Sequence, residues 1–223
     1  MVDNKIHFLI KLGKKEHIEK LRNEGVIFMN SINFFKTMEE DEQRKDTEEG
    51  IERIEQINWM KMLFGEKEVE FSKNAVKNKL LGAQLKVSNP DLEGNLFSMI
   101  AITTGLSNIT DTLDKRNMQF GDSFLVVFNP KEFLSRIEDA IKITNFDYKW
   151  GLVKYYDDQI HDGELGIFYK SNRFDHQNEF RIFVHRNFKS PLILNIGNMD
   201  DISEIFKIEE FEKCRFKLQD IQS

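Results

Sequence analysis

Apolar and polar positions fall into short blocks whose periods predict an alternation of strands with a few helices. KIHFLIK reads as a strand, KKEHIEKLRNEG as a helix stopped by Gly25, and VIFMNSINFF as a second strand running through a turn into a short helix. The stretch from Thr37 to Gly50 is densely charged and without apolar periodicity, so it predicts an exposed loop or helix end. IERIEQI predicts a strand, and NWMKMLFGEKEVEFSKNAVKNKLL, with mixed signals, is assigned as mostly helical. AQLKVSN and FSMIAITT, separated by the PDLEGN turn, predict paired strands, and GDSFLVVFNP a strand ended by Pro130. PKEFLSRIEDAIKI sets Phe133, Ile137 and Ile141 four apart behind Pro130, the pattern of an amphipathic helix. KWGLVKYY, EFRIFV, PLILNI and CRFKLQ supply further strands.

Strands that follow one another directly outnumber strand–helix–strand crossovers. The expected class is therefore α+β, with a mostly antiparallel sheet flanked by helices. No Pro-, Gly- or Ser-rich linker and no internal repeat divides the chain, so residues 1–223 are read as one domain.

Composition narrows the chemistry. With 223 residues, 40% hydrophobic content and 20 Phe against 4 Tyr and 2 Trp, the chain can bury an aromatic-rich core. A single cysteine, Cys214, excludes an internal disulfide and a multi-cysteine metal site. The apolar run near the amino end is too short for a secretory signal or a membrane span, which leads to the expectation of a cytoplasmic protein with no membrane partner. A net charge of −6 provides no general field for nucleic acid, yet leaves room for a local basic pocket. His7, His17, His161, His176 and His185 make no two-ligand helical spacing, so no metal site is expected. G-x-S-x-G, Walker and G-x-G-x-x-G motifs are absent from the sequence.

The sharpest polar feature is RFDHQNEFRIFV. A spacing of two along a strand would put Gln177 and Glu179 on one face and Phe180, Ile182 and Val184 on the other. In one reading both polar residues face solvent and Arg181 pairs with Glu179. In the other, a carboxylate fixed on a rigid strand stabilises developing positive charge, as in an oxocarbenium-like transition state, while the amide holds an incoming nucleophile. Tyr155-Tyr156 and Phe168-Tyr169 are candidates to stack a base or a nicotinamide ring, although such pairs are more often core.

The Q-x-E of DHQNEFRIFV resembles the Gln/Glu-x-Glu motif of the ADP-ribosyltransferase superfamily. KLGKKEHIEKLRNEG, from Lys11 to Gly25, resembles that family's first motif, with Lys11 standing where His or Arg is usual. The resemblance implies a split, mostly antiparallel sheet and NAD as the substrate. It makes Glu179 and Gln177 the catalytic pair, with Gln177 suiting a macromolecular acceptor other than arginine, protein or nucleic acid. Lys11, Ser31, Phe35 and Arg44 become the candidate NAD contacts, with Ser98 as the other choice for the Ser of the middle motif. Small bacterial members of the superfamily include toxins and phage-conflict proteins, a setting in which a neutralising partner protein is expected. A second likeness, to uncharacterised bacterial and phage proteins, rests on Phe34-Phe35, the stretch Arg44 to Gly50, Phe120-Gly121-Asp122 and Gln177 to Arg181; it implies a common fold and puts Arg44 and Asp46 over the pocket. The competing expectation is a non-catalytic phage or defence-system binding protein that meets a basic partner through acidic surface at Glu39 to Glu42 and Glu209 to Glu212.

Overall fold

The computed structural model describes residues 5–37, 50–75, 82–88, 92–103 and 113–215. In chain order the elements are β1 (Ile6–Gly13), α1 (Lys15–Glu24), β2 (Val26–Ser31), α2 (Ile32–Thr37), β3 (Ile51–Gln56), β4 (Trp59–Phe64), β5 (Lys67–Ser72), β6 (Gln84–Ser88) and β7 (Gly94–Thr103). They continue with β8 (Ser123–Val127), α3 (Pro130–Lys142), β9 (Tyr148–Leu152), β10 (Lys154–Tyr156), β11 (Gly163–Glu164), β12 (Tyr169–Ser171), β13 (Glu179–His185), β14 (Leu192–Asn195) and β15 (Ser203–Lys207). Short 3₁₀ turns span Lys115–Phe120, Asn172–Gln177 and Ile208–Lys213. The class is α+β, and among the described strand pairs every one is antiparallel except β10–β12.

Strand β7 is the hub. One of its edges carries β13 and then β9 along its length. The other edge is shared: β2, backed by β14, pairs at Asn95 and Leu96, whereas β1, backed by β8 and β15, pairs from Ile100 onward. Between those contacts the two branches part, and among the described residues no strand is registered against residues 97–99 of β7 on that side.

Alternation sorts the sheet into two faces. Leu9, Phe97, Met99, Phe180, Ile182 and Val184 lie on the first, under Ile18 and Leu21 of α1 and Phe133, Ile137 and Ile141 of α3. Each such fully buried side chain contributes about 1.5–3 kcal/mol relative to exposure. Helix α3 forms where the spacing predicts it, with Pro130 in its first turn and the Asn129 side chain accepting from the Glu132 N–H. Helix α1 ends at Gly25 in the left-handed conformation, φ 67°. Its start is capped from a distance: the Lys15 N–H donates to Asp122 Oδ1 at 2.7 Å. The neighbouring Gly121 lies so close to β1 that a Cβ there would sit 2.1 Å from the Gly13 carbonyl oxygen. Phe120-Gly121-Asp122 thus acquires a structural reason.

The second face is divided. Ile10, Ile100, Ile102, Phe124 and Val126 pack with Leu113 and Phe211 at one end, and Leu96 and Phe183 pack with Ile32 at the other. Polar residues of β7 and β13 stand between these two apolar groups.

Several expectations require correction. The segment assigned as helical contains the β4–β5 hairpin, joined at Gly65-Glu66 with Gly65 at φ 63°. Register pairs Met60 with Phe71 and Met62 with Val69, so period-two pairing across a tight turn overrides the helix-like apolar count. AQLKVSN and FSMIAITT both form strands but do not pair with each other: β6 pairs with β3, and β7 joins the main sheet. In CRFKLQ, Cys214 and Arg215 are not in a strand and the remainder lies outside the described residues. The last strand of the sheet among the described residues is β15, SEIFK, beside β8. Residues 38–49, with Arg44, Asp46 and the Glu39 to Glu42 stretch, also lie outside the described residues.

Candidate functional site

Strand β13 opens at Glu179, and Gln177 does not belong to it. Gln177 closes the 3₁₀ turn Asn172–Gln177, and Asn178 between them is left-handed at φ 41° and ψ 50°. Asn tolerates that conformation far better than most residues do. The expected sharing of one strand face is therefore corrected, because the strand that would supply the alternation begins two residues later. The two side chains nevertheless converge through a third residue. Lys170 Nζ donates to Gln177 Oε1 at 2.8 Å and to Glu179 Oε2 at 3.1 Å.

Glu179 is the centre of a buried polar network. Its Oε1 accepts from Ser98 Oγ at 2.5 Å and from Arg181 Nε at 2.7 Å, and Arg181 Nη2 reaches Oε2 at 3.4 Å. Its backbone N–H donates to the Tyr155 hydroxyl at 2.9 Å. Gln177, Glu179, Arg181 and Lys170 are at most 7% exposed. Burial by itself would raise the Glu179 pKa. The charges of Arg181 and then Lys170, with hydrogen bonds from Arg181 and Ser98, more than reverse that and hold the carboxyl well below the usual carboxylate range. Burial, and then the Glu179 charge, push the Tyr155 phenol upward, so it stays protonated.

Backbone placement explains this assembly. Ser98 lies directly opposite Arg181, and Ile100 opposite Glu179, so cross-strand neighbours on one face of β7 and β13 bring serine, carboxylate and guanidinium together. The parallel pair β10–β12 aligns Tyr155 with Lys170, and this small ribbon delivers both to the head of β13. Asn117, in the turn Lys115–Phe120, ties a second 3₁₀ turn to the site by donating to the His176 carbonyl oxygen at 2.9 Å. Both ring nitrogens of His176 are buried, and burial, followed by the Arg116 charge, lowers its pKa.

The described candidate NAD contacts, Lys11, Ser31 and Phe35, do not gather here. Lys11 pairs in register with Leu125, a residue of the first-face core, and its ammonium lies 4.4 Å from the centroid of the Phe97 ring, also in that core. It therefore stands on the face opposite Glu179. Its Nζ donates to the Ser98 carbonyl oxygen at 2.7 Å, in the gap where β1 and β2 part along β7. Lys11 fills the split of the sheet, and its expected place beside Glu179 is corrected. Ser31 pairs with Asn95, five residues along β7 from the partner of Glu179, or roughly 17 Å at strand rise. Its hydroxyl accepts from the Phe34 N–H at the start of α2. Phe35 packs against the Ile32, Leu96 and Phe183 group. A shallow depression beside Ser31, lined by Asn33, Glu93, Gly94 and Lys189, belongs to that same distant end of β7. Of the two serines considered for the middle motif, Ser98 is the one that touches Glu179.

Tyr156 packs with Ile51 and Ile54, Phe168 with the Ile32 group and Tyr169 beside Tyr156, so these rings serve packing. Sequence reasoning missed Lys170. Its signal was faint but present: one lysine in the otherwise apolar and aromatic run GIFYKS, where a charge has no place unless it has a partner.

No family model, curated protein or solved structure matches this chain.

Proposed function

We propose that the chain is an ADP-ribosyltransferase-like enzyme that cleaves NAD at the nicotinamide–ribose bond and passes ADP-ribose to a non-arginine acceptor on a macromolecule. In this reading Glu179 is the catalytic carboxylate and Gln177 orients the acceptor. The N-glycosidic bond breaks with its electron pair leaving on nicotinamide, Glu179 stabilises the oxocarbenium ion, and the acceptor adds to the anomeric carbon as it gives up a proton. The observation that carries the reading is the 2.5 Å contact between Ser98 and Glu179, which joins the Ser-bearing middle strand to the Q-x-E segment with the carboxylate ionised. Lys11 has no part in it. A split, mostly antiparallel sheet agrees with the fold that this reading requires, and a toxin or phage-conflict role follows from it as part of the same proposal.

Release of nicotinamide from NAD by the purified chain tests the reading. Turnover should be measurable in the wild type and absent from a folded Glu179→Gln variant. Unchanged turnover in that variant defeats the assignment.

A second reading has its own support. Both oxygens of Glu179 are engaged by Lys170 and Arg181 in a site almost closed to solvent, an arrangement that also locks the 3₁₀ turn to the sheet without any ligand. On this view the chain is a non-catalytic phage or defence-system binding protein. Salt-sensitive binding of a basic partner by the wild type, with no NAD consumed, favours it.

A further inference from the structure

The odd feature of the Gln177–Glu179 pair is that nothing in the local backbone fixes its spacing. A strand would hold two such residues at a set separation on one face, but here a left-handed Asn178 and the end of a 3₁₀ turn intervene. A side chain on another element takes over that task. The Lys170 ammonium touches Gln177 Oε1 and Glu179 Oε2 at once, and the Phe174 ring packs beside it with its centroid 4.6 Å away. Phe174 belongs to the same 3₁₀ turn as Gln177, so the lysine grips that turn from two sides. Lys170 is itself anchored by β12, whose partner β10 carries the Tyr155 hydroxyl that receives the Glu179 N–H.

We infer that Lys170 is a positioning residue, which sets where the Gln177 amide stands relative to the Glu179 carboxylate and which way that amide is turned. An ammonium offers donors only, so it selects the amide oxygen and turns the NH₂ edge of Gln177 away from itself. Orientation of the amide is thereby fixed by chemistry. The role in turnover rests on the proposed NAD reading; the geometric role does not.

The substitution Lys170→Met keeps an unbranched side chain only one atom shorter and removes all three donors. Two readouts separate the geometric claim from the catalytic one. The first is the side-chain amide resonance pair of Gln177, assigned by comparison with Gln177→Glu, in wild type, Lys170→Met and Lys170→Arg, with Lys170→Leu taking the place of the Met variant if that one does not fold. The expected result is a fixed, non-averaged pair in the wild type, movement toward the position of a freely rotating glutamine in Lys170→Met, and recovery in Lys170→Arg. The second is nicotinamide release from NAD, expected to fall on the order of 100-fold in Lys170→Met, because displacement of a positioned group by an ångström costs that much, and to recover substantially in Lys170→Arg. An unmoved Gln177 pair in a folded Lys170→Met chain overturns the inference. A pair that moves while even the wild type leaves NAD intact upholds the positioning role and defeats the NAD reading instead.

Discussion

Replacing Glu179 with Gln preserves shape and the approach to Ser98 while deleting one negative charge from between two buried cations. Arg181 Nε lies at 2.7 Å and Lys170 Nζ at 3.1 Å from its oxygens. At an effective dielectric of about 20 those separations correspond to Coulomb energies of about 6 and about 5 kcal/mol. Most of this is offset by the several kcal/mol needed to desolvate each ion, and removal of one partner from such a buried pair leaves a net loss of about 3–5 kcal/mol. Native stabilities of about 5–15 kcal/mol make that a large fraction of the whole. Urea unfolding at pH 7 should show a lower midpoint with an unchanged slope. A double-mutant cycle with Lys170→Met should return a coupling of about 1–3 kcal/mol. The pH dependence has a definite sign. A carboxyl whose folded pKa is depressed contributes stability that is fully present above its unfolded value of 4.5 and is lost as pH falls through the folded value, so the difference between wild type and Glu179→Gln should shrink on acidification below about pH 4.5. A loss of less than about 1 kcal/mol at pH 7 would refute the claim that an ionised Glu179 binds the site together.

Three further outcomes are expected. Lys11→Met removes a hydrogen bond to the Ser98 carbonyl in the gap beside β7, which should cost about 1–3 kcal/mol in denaturant unfolding and leave NAD affinity unaltered; weakened NAD binding in titration calorimetry would contradict its place on the first face. Gly121→Ala puts a methyl group 2.1 Å from the Gly13 carbonyl oxygen, a clash with backbone that should lower stability by about 1–3 kcal/mol or more, read as a fall in Tm; an unchanged Tm would refute the close approach. His176, facing Arg116, Asp114 and Asp175, has a folded pKa below 6.5, so the stability tied to its neutral ring is present above pH 6.5 and is lost as pH falls through the folded value; a His176→Gln chain should lack that part of the pH dependence in urea midpoints taken from pH 8 to 5.

Helices α1 and α3 were legible because the stop of the first and the start of the second are written locally. Gly25 takes the left-handed cap that few other residues accept, and Asn129 and Pro130 meet the needs of the α3 amino end within a few residues of sequence. The β4–β5 hairpin was not legible, since Trp59, Met62 and Leu63 fit a helical stripe while Met60, Met62 and Phe64 fit one face of a strand, and only the pairing of the latter three with Phe71, Val69 and Lys67 decides between them. The sequence also marked Glu179 as a focal residue, with Gln177 beside it and Arg181 as its partner. It misjudged how the first two are held, for Asn178 turns the chain where an extended run was expected.

Amino-acid order alone determined which segments are apolar enough to be buried, where the two longer helices begin and end, and that one carboxylate stands at the head of an apolar strand. Tertiary structure alone decided that Ser98 and Lys170 meet that carboxylate and that Lys11 does not. The physical reason is that a strand's alternation fixes only which of two faces a side chain takes, whereas its neighbours on that face come from register with strands distant in sequence. β7 brings Ser98 to Glu179 across 81 residues, while the same register sends Lys11 into the opposite face.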